Sequence, residues 1–294
     1  MNANASVLSR RPYGPDAIPL SIIGMGGVVV MNEQQEHANR VVAEFVERGV
    51  NYFDVSPTYG DAEIRLGPAL KPYRKDVFLA CKTGQRTREG SLNELENSLK
   101  TLHTDHFDLY QLHAVTEVGK DIDAVFAKGG AMETLIEAKK EGRVRYLGFS
   151  AHSVEAAVAA MDRFAFDSIL FPVNFAMYEK GNFGPQIMEK AQAKGLTRLA
   201  LKAMALQKWS SDDAPGRKRF PKCWYEPIAD LELASPALRF TLSQPVTAAI
   251  PPGEESLFRL ALMIALRYTP ITPEEVEDLK GIAAKLAPPF EAVG

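Results

Sequence analysis

The feature that most constrains this chain is a recurring unit: a strand-length apolar run followed by a helical pattern, repeated eight times along the sequence. The runs are IPLSIIG (18–24), VNYFDV (50–55), DVFLACK (76–82), HFDLYQLH (106–113), RVRYLGFS (143–150), DSILFPVN (167–174), LTRLALK (196–202) and PVTAAIP (245–251). Strands that are apolar on both faces and separated each time by a helix belong to a parallel sheet covered on its outside. Eight such units predict an α/β fold closed into a (β/α)8 TIM barrel, with an open doubly wound sheet as the alternative. The open sheet needs a dinucleotide fingerprint after its first strand. Gly24-Met25-Gly26-Gly27 lacks the third glycine at the required spacing and the acidic residue about 20 positions on, so these glycines read as a tight turn at the barrel mouth.

Helix punctuation supports the same reading. Ala38, Val41, Val42, Phe45 and Val46 recur at helical spacing before Gly49, with Asn32 as the expected cap. Ser91 and Glu94 make a capping box ahead of Leu92, Leu95, Leu99 and Leu102; Thr272, Pro273 and Glu275 open the last long helix; Gly142 and Gly195 sit where helices should stop. No Ser/Gly-rich or single-sign tract divides the 294 residues, so residues 1–294 are expected to form one domain.

A formal charge of −3 argues against a general nucleic-acid binder, whose phosphate affinity needs clustered Lys and Arg. The first residues lack the apolar core of a secretory signal and no run is long enough to span a bilayer, so a cytoplasmic protein without a membrane partner is expected. Cys81 and Cys223 are far apart and lack metal-ligand spacing, so neither a disulfide framework nor a metal site is expected, and Cys81 reads as a small buried strand residue.

The polar residues at the strand ends carry the chemistry. Asp54, Lys82, His113, Ser150 and Asn174 close the second to sixth runs, and in a barrel all five face the C-terminal mouth. Each alone has a structural reading: a helix cap, a snorkelling lysine, a hydrogen-bonded core histidine. Their gathering at one end of one barrel favours function. Tyr59 follows Asp54 in FDVSPTYGDAE, where Pro57 and Gly60 shape a turn that folds the phenol back over the mouth. A phenol titrates near pH 10; the Lys82 ammonium beside it is expected to lower that value, with Asp54 holding Lys82 charged.

At these residues the sequence resembles the aldo-keto reductases. Asp54 and Tyr59 stand in that family's D-x4-Y arrangement, Lys82 follows Asp54 by 28 residues in LACKTG, and His113 follows by a further 31 in DLYQLHAV. The likeness extends through IIGMGG, RYLGFSAH and AAIPPG. It implies an NAD(P)H-dependent oxidoreductase acting on a small aldehyde, ketone or alcohol. Tyr59 would be the general acid/base, tuned by Lys82 and Asp54, and His113 would orient the carbonyl. Ser150 and Asn174 match the positions that hold the nicotinamide carboxamide, and Lys202, Pro252, Gly253, Ser256 and Arg259 join them as cofactor-binding candidates.

Three departures stand out. Ala151 replaces a frequent Asn, with His152 next to it; Leu201 replaces a stacking aromatic; Glu254 and Glu255 stand where basic residues often grip a 2′-phosphate. NADP(H) is the expected cofactor from the resemblance, with NAD(H) kept open by those two carboxylates. The loops 114–130 and 203–226 are expected to build the substrate pocket, the second with Trp209, Trp224, Tyr225 and the basic run Arg217, Lys218, Arg219. Two other readings share the fold: a non-catalytic nucleotide-binding sensor or subunit, and a lyase with a Schiff base on Lys82.

Overall fold

The computed structural model describes residues 7–212 and 214–292. Strands β1 (Arg10–Tyr13) and β2 (Ile18–Ser21) pair antiparallel ahead of the main sheet. Then come β3 (Met25–Gly26), β4 (Tyr52–Asp54), β5 (Phe78–Thr83), β6 (Phe107–Val115), β7 (Val144–Ala151), β8 (Ser168–Pro172), β9 (Thr197–Leu201), β10 (Ala205–Gln207), β11 (Glu226–Pro227) and β12 (Ala248–Ile250). β3 to β9 with β12 form one parallel sheet in chain order, while β10 and β11 pair as a separate ribbon. The two edges of the sheet meet where Ile23 bridges Ala249 and the Gly24 amide donates to the Ala249 carbonyl at 2.9 Å. That contact closes the predicted (β/α)8 barrel.

The first run departs from its prediction. Residues Ile18–Ser21 belong to the hairpin below the barrel, and the barrel strand itself is only Met25–Gly26. The glycines therefore do more than turn the chain. A Cβ on Gly24 would stand 2.2 Å from the Tyr52 ring, and one on Gly27 would stand 2.6 Å from the Val55 side chain, so the side chains of β4 and the residue after it pack directly on the glycine backbone.

The hairpin plugs the bottom. Tyr13 and Leu20 join Tyr52, Phe78, Leu109, Tyr146, Leu170, Leu199 and Ala248 in a buried cluster inside the barrel, and the Tyr13 hydroxyl meets Ser168 Oγ at 2.8 Å. With the interior filled by side chains, polar chemistry is confined to the mouth. A larger apolar layer lies between the strands and the outer helices. Cys81 lies in it, buried and unbridged.

Helix ends follow the sequence in part. The Thr272–Glu275 capping box forms, and Gly142 and Gly195 adopt the left-handed region after their helices at φ of 78° and 73°. Asn32 is no cap: the first helix, Gln35–Glu47, starts after Gln34, and Asn32 instead sits at φ 64° with its amide on Asp61. Nor do Ser91 and Glu94 form a box. The helix Arg88–Thr101 begins a turn earlier on a Thr87 cap, and Glu94 accepts from Thr83 Oγ1 at 2.7 Å and the Gly84 amide at 2.9 Å. Among the described residues no helix is long and apolar enough to cross a membrane.

Candidate active site

β4 ends on Asp54, β5 carries Lys82 next to its end, and β6 carries His113 two residues from its end. The turn after β4, where the Tyr59 amide donates to the Ser56 carbonyl, returns Tyr59 over the mouth. Lys82 and Asp54 form a buried ion pair, 1% and 2% exposed, and Lys82 Nζ also stands 3.5 Å from the Tyr59 hydroxyl. Two residues not singled out from the sequence hold the carboxylate from below. Gln111 Nε2 donates to Asp54 Oδ2 at 3.0 Å, and the Tyr52 hydroxyl lies 3.4 Å from the same oxygen. Both point into the barrel from strands in which polar and aromatic residues have an ordinary core reading. His113 Nδ1 is met by Ser56 Oγ at 3.1 Å and Thr58 Oγ1 at 3.3 Å, while its ring sits edge-on to Tyr59 with centroids 5.6 Å apart. Among the described residues Nε2 has no partner and is the nitrogen available to a ligand.

Burial and charge act on each group differently. Burial opposes the Lys82 ammonium, and the Asp54 carboxylate more than offsets it, raising the pKa above the ordinary lysine value. His113 is pushed down to about 3 by burial and then by Lys82, Arg86 and Lys202, so its ring is neutral at physiological pH. The expected net lowering of Tyr59 is not found. Burial raises the phenol above its usual value, and Lys82 pulls the other way without overcoming it. A neutral phenol is the form that donates a proton.

From Tyr59 and Asp54 a cleft of about 290 Å³ extends past Leu170, Leu201 and Ile250 to Gly26, Val28 and Gly253. Leu201 is an aliphatic wall, as expected, and Trp224, Tyr225 and Lys222 of the long loop after β9 form the opposite side. Loop 114–130 contributes no lining residue; its Asp121 is tied to Arg86, whose Nη2 donates to the His113 carbonyl. Trp209 packs on Phe220, Cys223 and Leu257 away from the cleft, and Arg217 pairs with Asp212. Of the basic residues in this loop, the one at the cleft is Lys222, unremarked in the sequence. Its Nζ bridges the Val29 carbonyl and Glu33, both at 2.9 Å.

The cofactor candidates fall into two groups. Gly253 lines the cleft after β12, Pro252 before it is buried and is not a lining residue, Ser256 is exposed in the helix Glu255–Ala265, and Arg259 lies one turn on. Arg259 is held by Glu44 at 2.7 Å and Glu255 at 2.8 Å, and Glu255 also meets His37 at 2.6 Å. Glu254 accepts from the Lys222 amide at 2.6 Å. Deeper in the mouth, Ser150 Oγ accepts from the Ala114 amide at 2.7 Å. Asn174 gives both amide protons to the Lys202 and Ala205 carbonyls and caps the helix Phe175–Glu179 through Oδ1, so the Lys202 main chain is what it orients. Lys202 itself turns its Nζ across β8 to His152 Nε2, at 3.2 Å, away from β12.

The family model for the aldo/keto reductase family matches residues 23–284. The chain belongs to that family. A curated relative, the uncharacterized oxidoreductase YqkF of Bacillus subtilis, is 26% identical over 306 aligned positions that cover 93% of this chain and 96% of that protein. L-galactose dehydrogenase of Arabidopsis thaliana is 28% identical over 53% of this chain and 52% of that protein. Among solved structures, the holo form of aldo-keto reductase AKR11C1 from Bacillus halodurans superposes with a TM-score of 0.72 at 23% identity, covering 94% of this chain and 96% of that one. This aldo/keto reductase is an oxidoreductase of a family that uses nicotinamide cofactors.

Proposed function

We propose that this protein interconverts small aldehydes or ketones and their alcohols, with Tyr59 as the proton donor. The carrying observation is the buried Asp54–Lys82 pair reaching the Tyr59 hydroxyl beside a neutral His113. The cleft fits the cofactor: Leu170, Leu201 and Ile250 offer an apolar bed for a planar ring, and Lys222, though shared with Glu33, brings a cation to the lining. A Cβ on Gly26 would come within 3.3 Å of Ile250, so a side chain there would narrow the same passage.

When bound, the reduced nicotinamide supplies a hydride to the carbonyl carbon. Tyr59 gives its phenolic proton to the carbonyl oxygen, and the phenolate left behind is stabilised by Lys82, whose charge Asp54 maintains. His113, with Nδ1 engaged by Ser56 and Thr58, presents Nε2 to the same oxygen and orients it. In the alcohol-oxidising direction the same atoms take the proton back. NADP(H) is the cofactor in this reading. NAD(H) is the alternative, favoured by the engagement of Arg259 with Glu44 and Glu255, which leaves it less available to a 2′-phosphate. The Schiff-base reading of Lys82 is disfavoured by its carboxylate partner, which keeps the amine protonated.

Tyr59→Phe is expected to lower kcat for aldehyde reduction by about a hundredfold or more while NAD(P)H binding, followed by fluorescence titration, changes little. A variant keeping more than about a tenth of wild-type kcat defeats the assignment of Tyr59 as proton donor.

A further inference from the structure

A second amine stands in this mouth and takes no part in the proton transfer. Lys202 is 8% exposed, lines the same cleft as Tyr59, and makes its one side-chain hydrogen bond to the ring of His152. Among the described residues no carboxylate lies within ion-pair distance of it, whereas the buried Lys82 and the partly buried Lys222 and Arg259 each pair with an acid. Its remaining surroundings are aromatic: the Trp224 and Phe290 rings each lie 5.3 Å from Nζ, and Phe290 stacks on His152 at 4.9 Å. A cation buried without a counter-charge is costly, and aromatic faces return only part of that cost.

The backbone adds an independent sign. Lys202 sits at φ 63°, in the left-handed region, where a residue with a long side chain is strained. Asn174 and the Ala205 amide both bind its carbonyl and hold it there. Its contacts give the direction of the side chain: past β9 toward His152 at the end of β7 and the rings of Trp224 and Phe290, on the side of β9 away from β12. The amine therefore lies on the side of the mouth opposite the expected adenosine end of the cofactor.

We propose that Lys202, backed by His152, receives a carboxylate on the substrate, so that the carbonyl compounds this enzyme prefers are oxo-acids. The proposal rests on the reductase reading above for the identity of the substrate's reactive group. The carboxylate supplies the counter-charge that none of the described residues supplies, and Trp224 and Phe290 flank the pair. His152, kept neutral by burial and by Lys202, contributes an acceptor to the ammonium and leaves the carboxylate as the anion of the site. The hydride and the Tyr59 proton still go to the carbonyl, so the product is the hydroxy-acid.

The test pairs glyoxylate, 4-oxobutanoate and 4-carboxybenzaldehyde each with its methyl ester. At least one acid is expected to exceed its ester by about tenfold in kcat/KM, the worth of one charge-assisted hydrogen bond. Lys202→Met is expected to bring that ratio near unity and Lys202→Arg to retain most of it. Ratios near unity for all pairs in the wild type, or a preference that survives Lys202→Met, overturn the proposal. So does a Lys202→Met variant that loses NAD(P)H affinity by the same factor as acid turnover, which would give the amine to a cofactor phosphate. If the wild type reduces no member of the panel, the reductase reading fails on its own. The carboxylate site is then judged by tryptophan fluorescence with 4-(hydroxymethyl)benzoate against the neutral 4-(hydroxymethyl)benzamide. Saturable binding of the acid alone, lost in Lys202→Met, upholds it; equal binding of both or of neither overturns it.

Discussion

Lys82 and Lys202 stand at the same barrel mouth, both almost fully buried, one at the end of β5 and the other just past β9. Burial disfavours the charge on each, and their partners decide the outcome. Lys82 faces Asp54, itself held by Gln111 and Tyr52, and stays charged beyond the ordinary lysine range. Lys202 faces a histidine and two aromatic rings, and burial followed by repulsion from Lys82 lowers its pKa to about 7. The difference separates a permanent charge that tunes an adjacent phenol from a half-committed one that a ligand completes.

The sharpest way to break this contrast is to remove the first amine. Lys82→Met is expected to cut kcat by about a hundredfold or more, because the phenolate that forms at Tyr59 loses its stabilising charge. It should also move the alkaline limb of alcohol oxidation upward. Lys82 pulls the Tyr59 phenol down against burial, and without it the phenol rises further, so the base form appears only at higher pH. The substitution leaves Asp54 buried without its cation, a loss of about 3–5 kcal/mol of stability by analogy with broken buried pairs. Asp54→Asn should act on kcat in the same direction and less, since it acts on Tyr59 only through Lys82. Steady-state pH profiles with urea melts check both. A Lys82→Met enzyme that is less stable but keeps its kcat and its pH profile would assign the lysine to structure.

Removing the second amine should do the opposite to stability. The unfolded lysine holds its proton up to about pH 10.4, whereas folded Lys202 releases it near pH 7. Below pH 7 both states are protonated and the fold carries the full penalty of a buried charge. Between the two values the unfolded state binds more protons, so stability rises with pH; above both, the penalty is gone. Lys202→Met is therefore expected to raise unfolding free energy by a few kcal/mol at pH 6, an order of magnitude set by that pKa difference, and by progressively less toward pH 10. Urea melts at the two pH values read it. Equal or greater stabilisation at pH 10 would show that packing, and not charge burial, separates the two lysines.

The two amines also differ in how far the sequence foretold them. Asp54, Lys82 and His113 are polar residues ending apolar runs, so period and position alone brought them to one mouth, and Tyr59 follows from a turn with Pro57 and Gly60. Lys202 ends a run as well, but its environment joins residues from four separate stretches: β7's end, β9's end, the loop at Trp224 and the C-terminal Phe290. No local pattern encodes such a contact. From the sequence Lys202 is expected among the cofactor-binding residues, and the substrate role proposed for it rests on the direction of its side chain, which the sequence does not show. The same limit explains the first strand. A two-residue strand of Met and Gly carries no periodicity, so the more regular apolar run before it attracted the assignment, while the closing contact at Ile23 depends on Ala249 across the chain.

The smallest expected effect concerns a third cation, Arg259, which has two carboxylates where Lys202 has none among the described residues. Glu44 and Glu255 both bind it, and Glu255 stays ionised: burial raises its pKa, but hydrogen bonds from His37 and Arg259 bring it below the ordinary value. A 2′-phosphate approaching the start of the helix Glu255–Ala265 would meet that carboxylate before a free guanidinium. Glu255→Lys reverses the charge and leaves Arg259 one acid instead of two. It is expected to shift the preference for NADPH over NADH by at least about fivefold, roughly 1 kcal/mol, a magnitude suited to a half-exposed and screened site. Fluorescence titration of both cofactors measures it. Dissociation constants that move together, or do not move, would place the 2′-position away from Glu255 and leave Arg259 as a structural tie between the last barrel helix and Glu44.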